Sequence, residues 1–338
     1  MTTLLVTGAG GPAGRALGAQ LAARAAGGAD LTWVGVDIVP VDDPNYPASD
    51  HAPRADSWDY ATGMRDLVVK HAPDLVVPTV QDELPQVAVL AQALDHTTTV
   101  LTAAPGPAAL AADKLLTMLA LDRAGVPVPR YALPTDFESV EEALAWAHGP
   151  VVIKPRVSRG GRGVRLIESA ADLSAPVDPG DLTGPAGPMV WTALNASWIV
   201  QTFAEGTEYC PQLFRSASAG TPDTDGIGGT HGTTVVVLEK TVLKQGRVGN
   251  AAAVVRPAAG SLPDVEDVAR RAVAALGLTG PADLDIRRDA TGAPLVLEVN
   301  GRFGANSEHA PELLDVVLTP YQSGAHPRGT HRPAQAPR

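Results

Sequence analysis

Residues 295–306 read LVLEVNGRFGAN. The apolar run 295–297 meets Glu298, and Asn300 and Arg302 follow at steps of two. On a β-strand, residues i, i+2 and i+4 share one face. A strand here would line one surface with a carboxylate, an amide oxygen and a guanidinium. Such a set can hold a hard cation and an anionic oxygen. The same letters also suit a strand running into a polar, Gly-rich turn. The upstream residues weigh on that choice. ADLDIRRD (282–289) and the LVLEVN strand are joined through TGAP and read as a hairpin. Asp283 and Asp285 alternate to one face of its first strand, and antiparallel pairing sets Asp285 beside Glu298. Asp285, Glu298 and Asn300 then converge as oxygen ligands that suit Mg²⁺, which draws its remaining oxygens from phosphates and water. A nucleotide should therefore be sought elsewhere in the chain.

The chain has 338 residues, room for two or three packed units. Its formal net charge is −11, with no long basic block before the tail, which argues against a nucleic-acid partner. Its 34 glycines and 30 prolines fall between periodic segments, as in a loop-rich globular protein. The single cysteine, Cys210, leaves no internal disulfide and fits a reducing compartment. MTTLLVTGAG lacks the basic and apolar regions of a signal peptide, and no apolar run reaches membrane-spanning length. A soluble cytoplasmic protein without a membrane partner is the expectation.

The first segment reads strand (3–7), Gly-rich turn (8–14), helix (15–26), strand (31–37), a Rossmann-like opening. Gly8, Gly10 and Ala13 fit G-x-G-x-x-A, and Asp37 closes the second strand. This is either a dinucleotide fingerprint or a tight turn in a Rossmann-like unit that binds no cofactor. A nicotinamide-dependent reductase would want Tyr-x-x-x-Lys, and none of the five tyrosines has Lys four residues on. Strand and helix patterns alternate to about residue 105. A single helix is expected from there until Gly125 and Pro127 stop it, and Ser139 with Glu142 form a capping box for another. PVVIKPRVSRGGRGVRLI (150–167) places two apolar strands around a basic, mobile tip. Lys154, at the end of the first strand, is expected to point toward that tip. Residues 216–232 read as a mobile loop, and the proline-rich 319–338 as a disordered tail.

Four runs, taken in order, resemble the ATP-grasp superfamily: DKLLTMLALDRAGVPVPRY, VVIKPRVSRGGRGV, IVQTFAEGTEY and DLDIRRDATGAPLVLEVNGRFG. With LVTGAGGPAG ahead of them, they are similar to the branch of carbamoyl-phosphate synthase large chains and stand-alone carboxylate–amine ligases. The resemblance implies an α/β and α+β architecture. A Rossmann-like pre-ATP-grasp domain (1–105) that binds no NAD precedes a two-lobed ATP-grasp fold. Linker helices and a flap-bearing lobe span 106–200, and a C-terminal lobe with the metal site spans 201–318. It implies ATP as cofactor, with Lys114, Lys154 and the flap glycines Gly160, Gly161 and Gly163 at its phosphates. Gln201 and the backbone near Phe203 would meet the adenine, and Glu208 the ribose. Asp285, Glu298 and Asn300 would bind two Mg²⁺ (or Mn²⁺), Glu298 bridging, and Arg302 would steady the transferring group. The implied partners are a small carboxylate and an amine, joined through an acyl phosphate; a homodimer is allowed. A nucleotide-binding protein without ligase activity is the alternative. The pattern departs from relatives at Gln201, where an acid is common, at YCPQLF after Glu208, and beyond RFGAN. Asp283 receives no role.

Overall fold

A computed structural model describes residues 1–94, 98–158, 160–174, 189–216 and 232–322. In its first part β1 (Thr2–Thr7), β2 (Leu31–Asp37), β3 (Ser49–His51), β4 (Leu75–Val77) and β5 (Thr99–Val100) pair in parallel, in the order β3-β2-β1-β4-β5. The apolar runs that end at 80 and 104 give shorter strands than their letters suggest. Pro78 follows β4 directly, and proline has no N–H to continue a ladder. Helices α1 (Pro12–Ala26), α2 (Tyr60–His71) and α3 (Leu84–Ala93) connect them.

The Gly-rich turn is shaped by contact. Gly8 sits at φ 58°, and a Cβ on Gly14 would fall 2.3 Å from the Gly8 carbonyl oxygen. Helix α1 thus packs this close to the loop only because Gly14 has no side chain. Asp37 accepts a hydrogen bond from the Gly10 N–H at 2.9 Å.

The expected single helix after residue 105 is two: α4 (Pro105–Ala112) and α5 (Lys114–Arg123). Between them Asp113 is extended, and its carboxylate accepts from the N–H groups of Leu115 and Leu116 at 2.9 and 3.3 Å. An aspartate that caps a new helix breaks the old one. The capping box at α6 (Val140–Ala147) is also modified. Ser139 accepts from the Glu142 N–H, but the Glu142 carboxylate accepts from Glu138 rather than from Ser139.

A second sheet, in the order β6-β9-β7-β8, holds β6 (Tyr131–Ala132), β7 (Val151–Pro155), β8 (Arg165–Ile167) and β9 (Trp198–Thr202); β7 and β8 form the flap hairpin. Its core joins Val151, Ile153 and Ile167 to Val140, Ala143 and Trp191. The short α7 (Ala171–Ser174) follows the flap.

The third sheet contains β10 (Glu208–Tyr209), β11 (Gln212–Arg215), β12 (Thr233–Val236), β13 (Glu239–Gln245), β14 (Val248–Val255), β15 (Gly280–Arg288) and β16 (Pro294–Asn300). One edge of β15 pairs with β16, and the other takes β10 and β11 in tandem. Helix α8 (Pro263–Ala275) packs Val265, Val268, Ala269 and Ala272 on Leu284, Ile286, Val296 and Val299.

Helix α9 (Glu312–Gln322) runs past the expected end at 318, because Leu313, Leu314, Val317 and Leu318 belong to a buried cluster with Leu4, Val6 and Leu17 of the first sheet unit. The loop 217–231 and the tail 323–338 lie outside the described residues. Among the described residues no helix is long and apolar enough to cross a membrane.

The turn geometry yields one prediction. The Gly10 N–H is committed to Asp37, whose carboxylate also opposes an approaching pyrophosphate. NADH or NADPH titrated into the protein should give no saturable fluorescence change below millimolar concentration; tight binding would restore the reductase reading.

Candidate functional site

The three sheets enclose a cavity of about 1500 Å³. Its lining includes Gly8 and Asp37 of the first sheet unit, Lys154 and Gln201 of the second, and Glu208, Lys240, Asp285, Glu298, Asn300 and Arg302 of the third.

The hairpin pairing is the one expected from the sequence: Asp285 stands opposite Glu298, and Asp283 opposite Asn300. Around them lie buried cations. The Lys114 ammonium is 3.4 Å from Glu298 and donates to the Ser158 carbonyl and hydroxyl at the base of the flap. Lys154 does not point to the flap tip. On β7, Val151 and Ile153 enter the small-sheet core, so Val152 and Lys154 face the cavity. The Lys154 ammonium crosses to β16 and donates to the Leu297 carbonyl at 3.1 Å. Burial pushes Lys154 down to about 8, against the pull of Glu298. Burial would raise the Glu298 carboxyl, but Lys114, Lys154 and Arg302 outweigh it and hold it below the usual carboxylate range.

Lys240 is a site residue that sequence reasoning missed. Its ammonium lies 2.6 Å from both Glu208 and Asp285, and its side chain is 3% exposed. Burial works against its charge, but Asp285 and Glu208 prevail and raise its pKa. The available signal was a lysine continuing the step of two set by the buried Val236 and Leu238. Arg287, also missed, reaches the second oxygen of Glu208 at 3.3 Å.

At the other end, Gln201 is buried in β9, and its side-chain N–H₂ has no partner among the described residues. The Phe203 N–H is taken by the Pro150 carbonyl at 3.0 Å, and the guanidinium groups of Arg247 and Arg287 stack on its ring at 4.5 and 4.6 Å. The open backbone donor is therefore one residue on. Among the described residues the buried Ala204 N–H makes no hydrogen bond. In the flap, Gly160, Gly161 and Gly163 all take positive φ, 65°, 73° and 75°. A Cβ on Gly161 would meet Gln245 and Asn250, so the tip rests on the β13–β14 hairpin.

Asp285, Glu298 and Asn300 all line the cavity, and hard oxygen donors of this kind would suit a magnesium ion completing its shell from phosphate and water. Their carboxylates are at present matched by lysines, and no group of three or more His, Cys, Asp or Glu among the described residues forms a ready metal cluster.

Residues 111–220 match the ATP-grasp domain family. This stretch of the chain carries an ATP-grasp domain. A formate-dependent phosphoribosylglycinamide formyltransferase from Mannheimia haemolytica is 30% identical over 161 residues, 47% of this chain and 41% of that protein. The chain spans 39% to 41% of the length of the first curated relatives it matches. The fold is shared with the L-amino acid ligase of Bacillus licheniformis (TM-score 0.62, 18% identity, 92% of this chain and 69% of that one). It is also shared with an N5-carboxyaminoimidazole synthetase from Staphylococcus aureus complexed with ADP (TM-score 0.64, 15% identity, 92% and 73% covered).

Within this ATP-grasp domain Asp113 links the helix that carries Lys114 to the flap strand. It caps α5 and binds the Arg156 guanidinium with both oxygens, at 3.1 and 2.5 Å. Asp113→Ala should lower stability by about 1–2 kcal/mol, the cost of a lost helix cap, read as a shifted urea midpoint. An unchanged midpoint would show that the cap contributes nothing.

Proposed function

We propose that this protein is an ATP-dependent ligase that joins a small carboxylate to an amine through an acyl phosphate. The observation that carries the reading is the Asp285–Glu298 pair with Asn300, set in one cavity with Lys154 and Arg302 and with the Lys114 ammonium 3.4 Å from Glu298. The ADP complex and the ligase names among the fold relatives support it.

Gln201 and the Ala204 N–H receive the adenine, which needs an acceptor at its amino group and a donor at the adjacent ring nitrogen. A neutral amide oxygen replaces the usual acid there. Glu208, held by Lys240 and Arg287, keeps lone pairs for the ribose hydroxyls. Lys114, Lys154 and the flap N–H groups meet the phosphates. Asp285, Glu298 and Asn300 would hold two Mg²⁺ ions, or Mn²⁺ in their place. Once bound, Mg·ATP supplies the phosphoryl group and neutralises its charge. Phosphoryl transfer asks mainly for positioning and electrostatic stabilisation. The flap excludes water, which protects a hydrolysable acyl phosphate. No serine or cysteine nucleophile is needed, and Cys210 is buried. A Rossmann-like unit to 105, a flap-bearing unit to 200 and a metal-bearing unit that ends with α9 divide these tasks, in the cytoplasm.

Glu298→Ala should cut ADP release by about a hundredfold or more, the scale of losing one key electrostatic stabiliser. The assay is a pairwise screen of amino acids and small carboxylates, with folding checked by circular dichroism. Wild-type turnover in the folded variant would reject the metal-site reading. Nucleotide binding by calorimetry with no pair stimulating ADP release would leave a binding protein without ligase activity.

A further inference from the structure

Asp283 is the acid that the family pattern leaves without work. It lies two residues before Asp285 on the cavity face of β15. Both of its oxygens are engaged. One accepts from the side-chain N–H₂ of Gln212, its cross-strand neighbour on β11. The other accepts from the Arg302 guanidinium at 3.0 Å. Gln212 is 1% exposed and is itself fixed by the Cys210 carbonyl at 3.3 Å. The same Arg302 nitrogen donates to the Phe303 carbonyl at 3.0 Å. The rest of the guanidinium makes no hydrogen bond among the described residues, and Arg302 lines the cavity. Gly304 completes the arrangement: a Cβ there would lie 2.5 Å from the Asp283 carboxyl carbon. The sequence thus reserves space for this carboxylate two residues after the arginine it holds.

We propose that Asp283, backed by Gln212, is a positioning residue that aims the free edge of Arg302 at the transferring phosphoryl group. The proposal rests on the ligase reading above. It also gives a purpose to the YCPQLF segment, which supplies Gln212 at the point where this chain departs from its relatives. An unanchored arginine on a Gly-rich turn would spend most of its time in other rotamers. A charge-assisted bond to a buried carboxylate fixes one rotamer.

The test needs no knowledge of the acid or amine. Mg·ADP binding is measured by calorimetry with and without aluminium fluoride, a planar mimic of the phosphoryl group. In the wild type, aluminium fluoride should tighten Mg·ADP. Asp283→Asn should leave Mg·ADP affinity within about twofold and lose about tenfold of the aluminium fluoride increment, equivalent to roughly 1.4 kcal/mol. Gln212→Leu, which frees the carboxylate without removing it, should lose part of the same increment. It serves as the test if Asp283→Asn does not fold. In an Arg302→Ala background neither change should cost anything further, because coupled residues are not additive. A full increment in Asp283→Asn, or a cost that adds to that of Arg302→Ala, would overturn the proposal. An increment insensitive to Arg302→Ala would reject the reading of Arg302 itself and leave the clamp nothing to aim.

Discussion

The site depends on one cross-strand pair, Asp285 opposite Glu298. Two carboxylates facing each other across neighbouring strands repel. They are tolerated here because each has a cation beside it, Lys240 (shared with Glu208) on Asp285 and Lys114 on Glu298. Removing one of these lysines would leave a half-buried carboxylate with less compensation, which is costly. The cluster therefore sets strict demands on everything around it. The lysines come from different elements, so β13 and α5 must reach one point.

Those demands explain the less regular parts of the fold. Helix α5 has to begin at Lys114, and Asp113 breaks the preceding helix to make it do so. The Lys154 ammonium reaches β16 only because β7 alternates a core face with a cavity face. The first sheet brings Gly8 and Asp37 to the opposite wall, and it is held there partly by α9 against Leu4, Val6 and Leu17.

The sequence was most legible where chemistry and period coincide. A strand has a period of two, so Asp285, Glu298 and Asn300 could be placed on one surface without coordinates. The parallel first sheet followed from strand–turn–helix alternation. Other features depend on contacts that no local pattern carries. Lys240 and Arg287 look like ordinary strand residues until β10 brings Glu208 between them. The Asp283–Gln212 bond spans 71 positions and depends on β11 following β10 along the same edge of β15. The direction of Lys154 was misread because the flap is its neighbour in sequence, whereas β16 is its neighbour in space. The proline-rich composition of 319–338 suggested a tail from 319, yet helix α9 continues through Pro320 with its apolar face packed.

A paired carboxylate site flanked by Lys114, Lys154 and Arg302 is suited to activating a carboxyl group with ATP. Such activation leaves a chemical trace that binding or simple hydrolysis does not. If a carboxylate oxygen attacks the terminal phosphoryl group and phosphate departs when the amine adds, that oxygen leaves with the phosphate. The decisive measurement is mass spectrometry of the phosphate released from ATP in the presence of heavy-oxygen-labelled amino acids and carboxylates. Label transferred into phosphate, in step with ADP release, is the predicted result. Phosphate released without label would contradict the account.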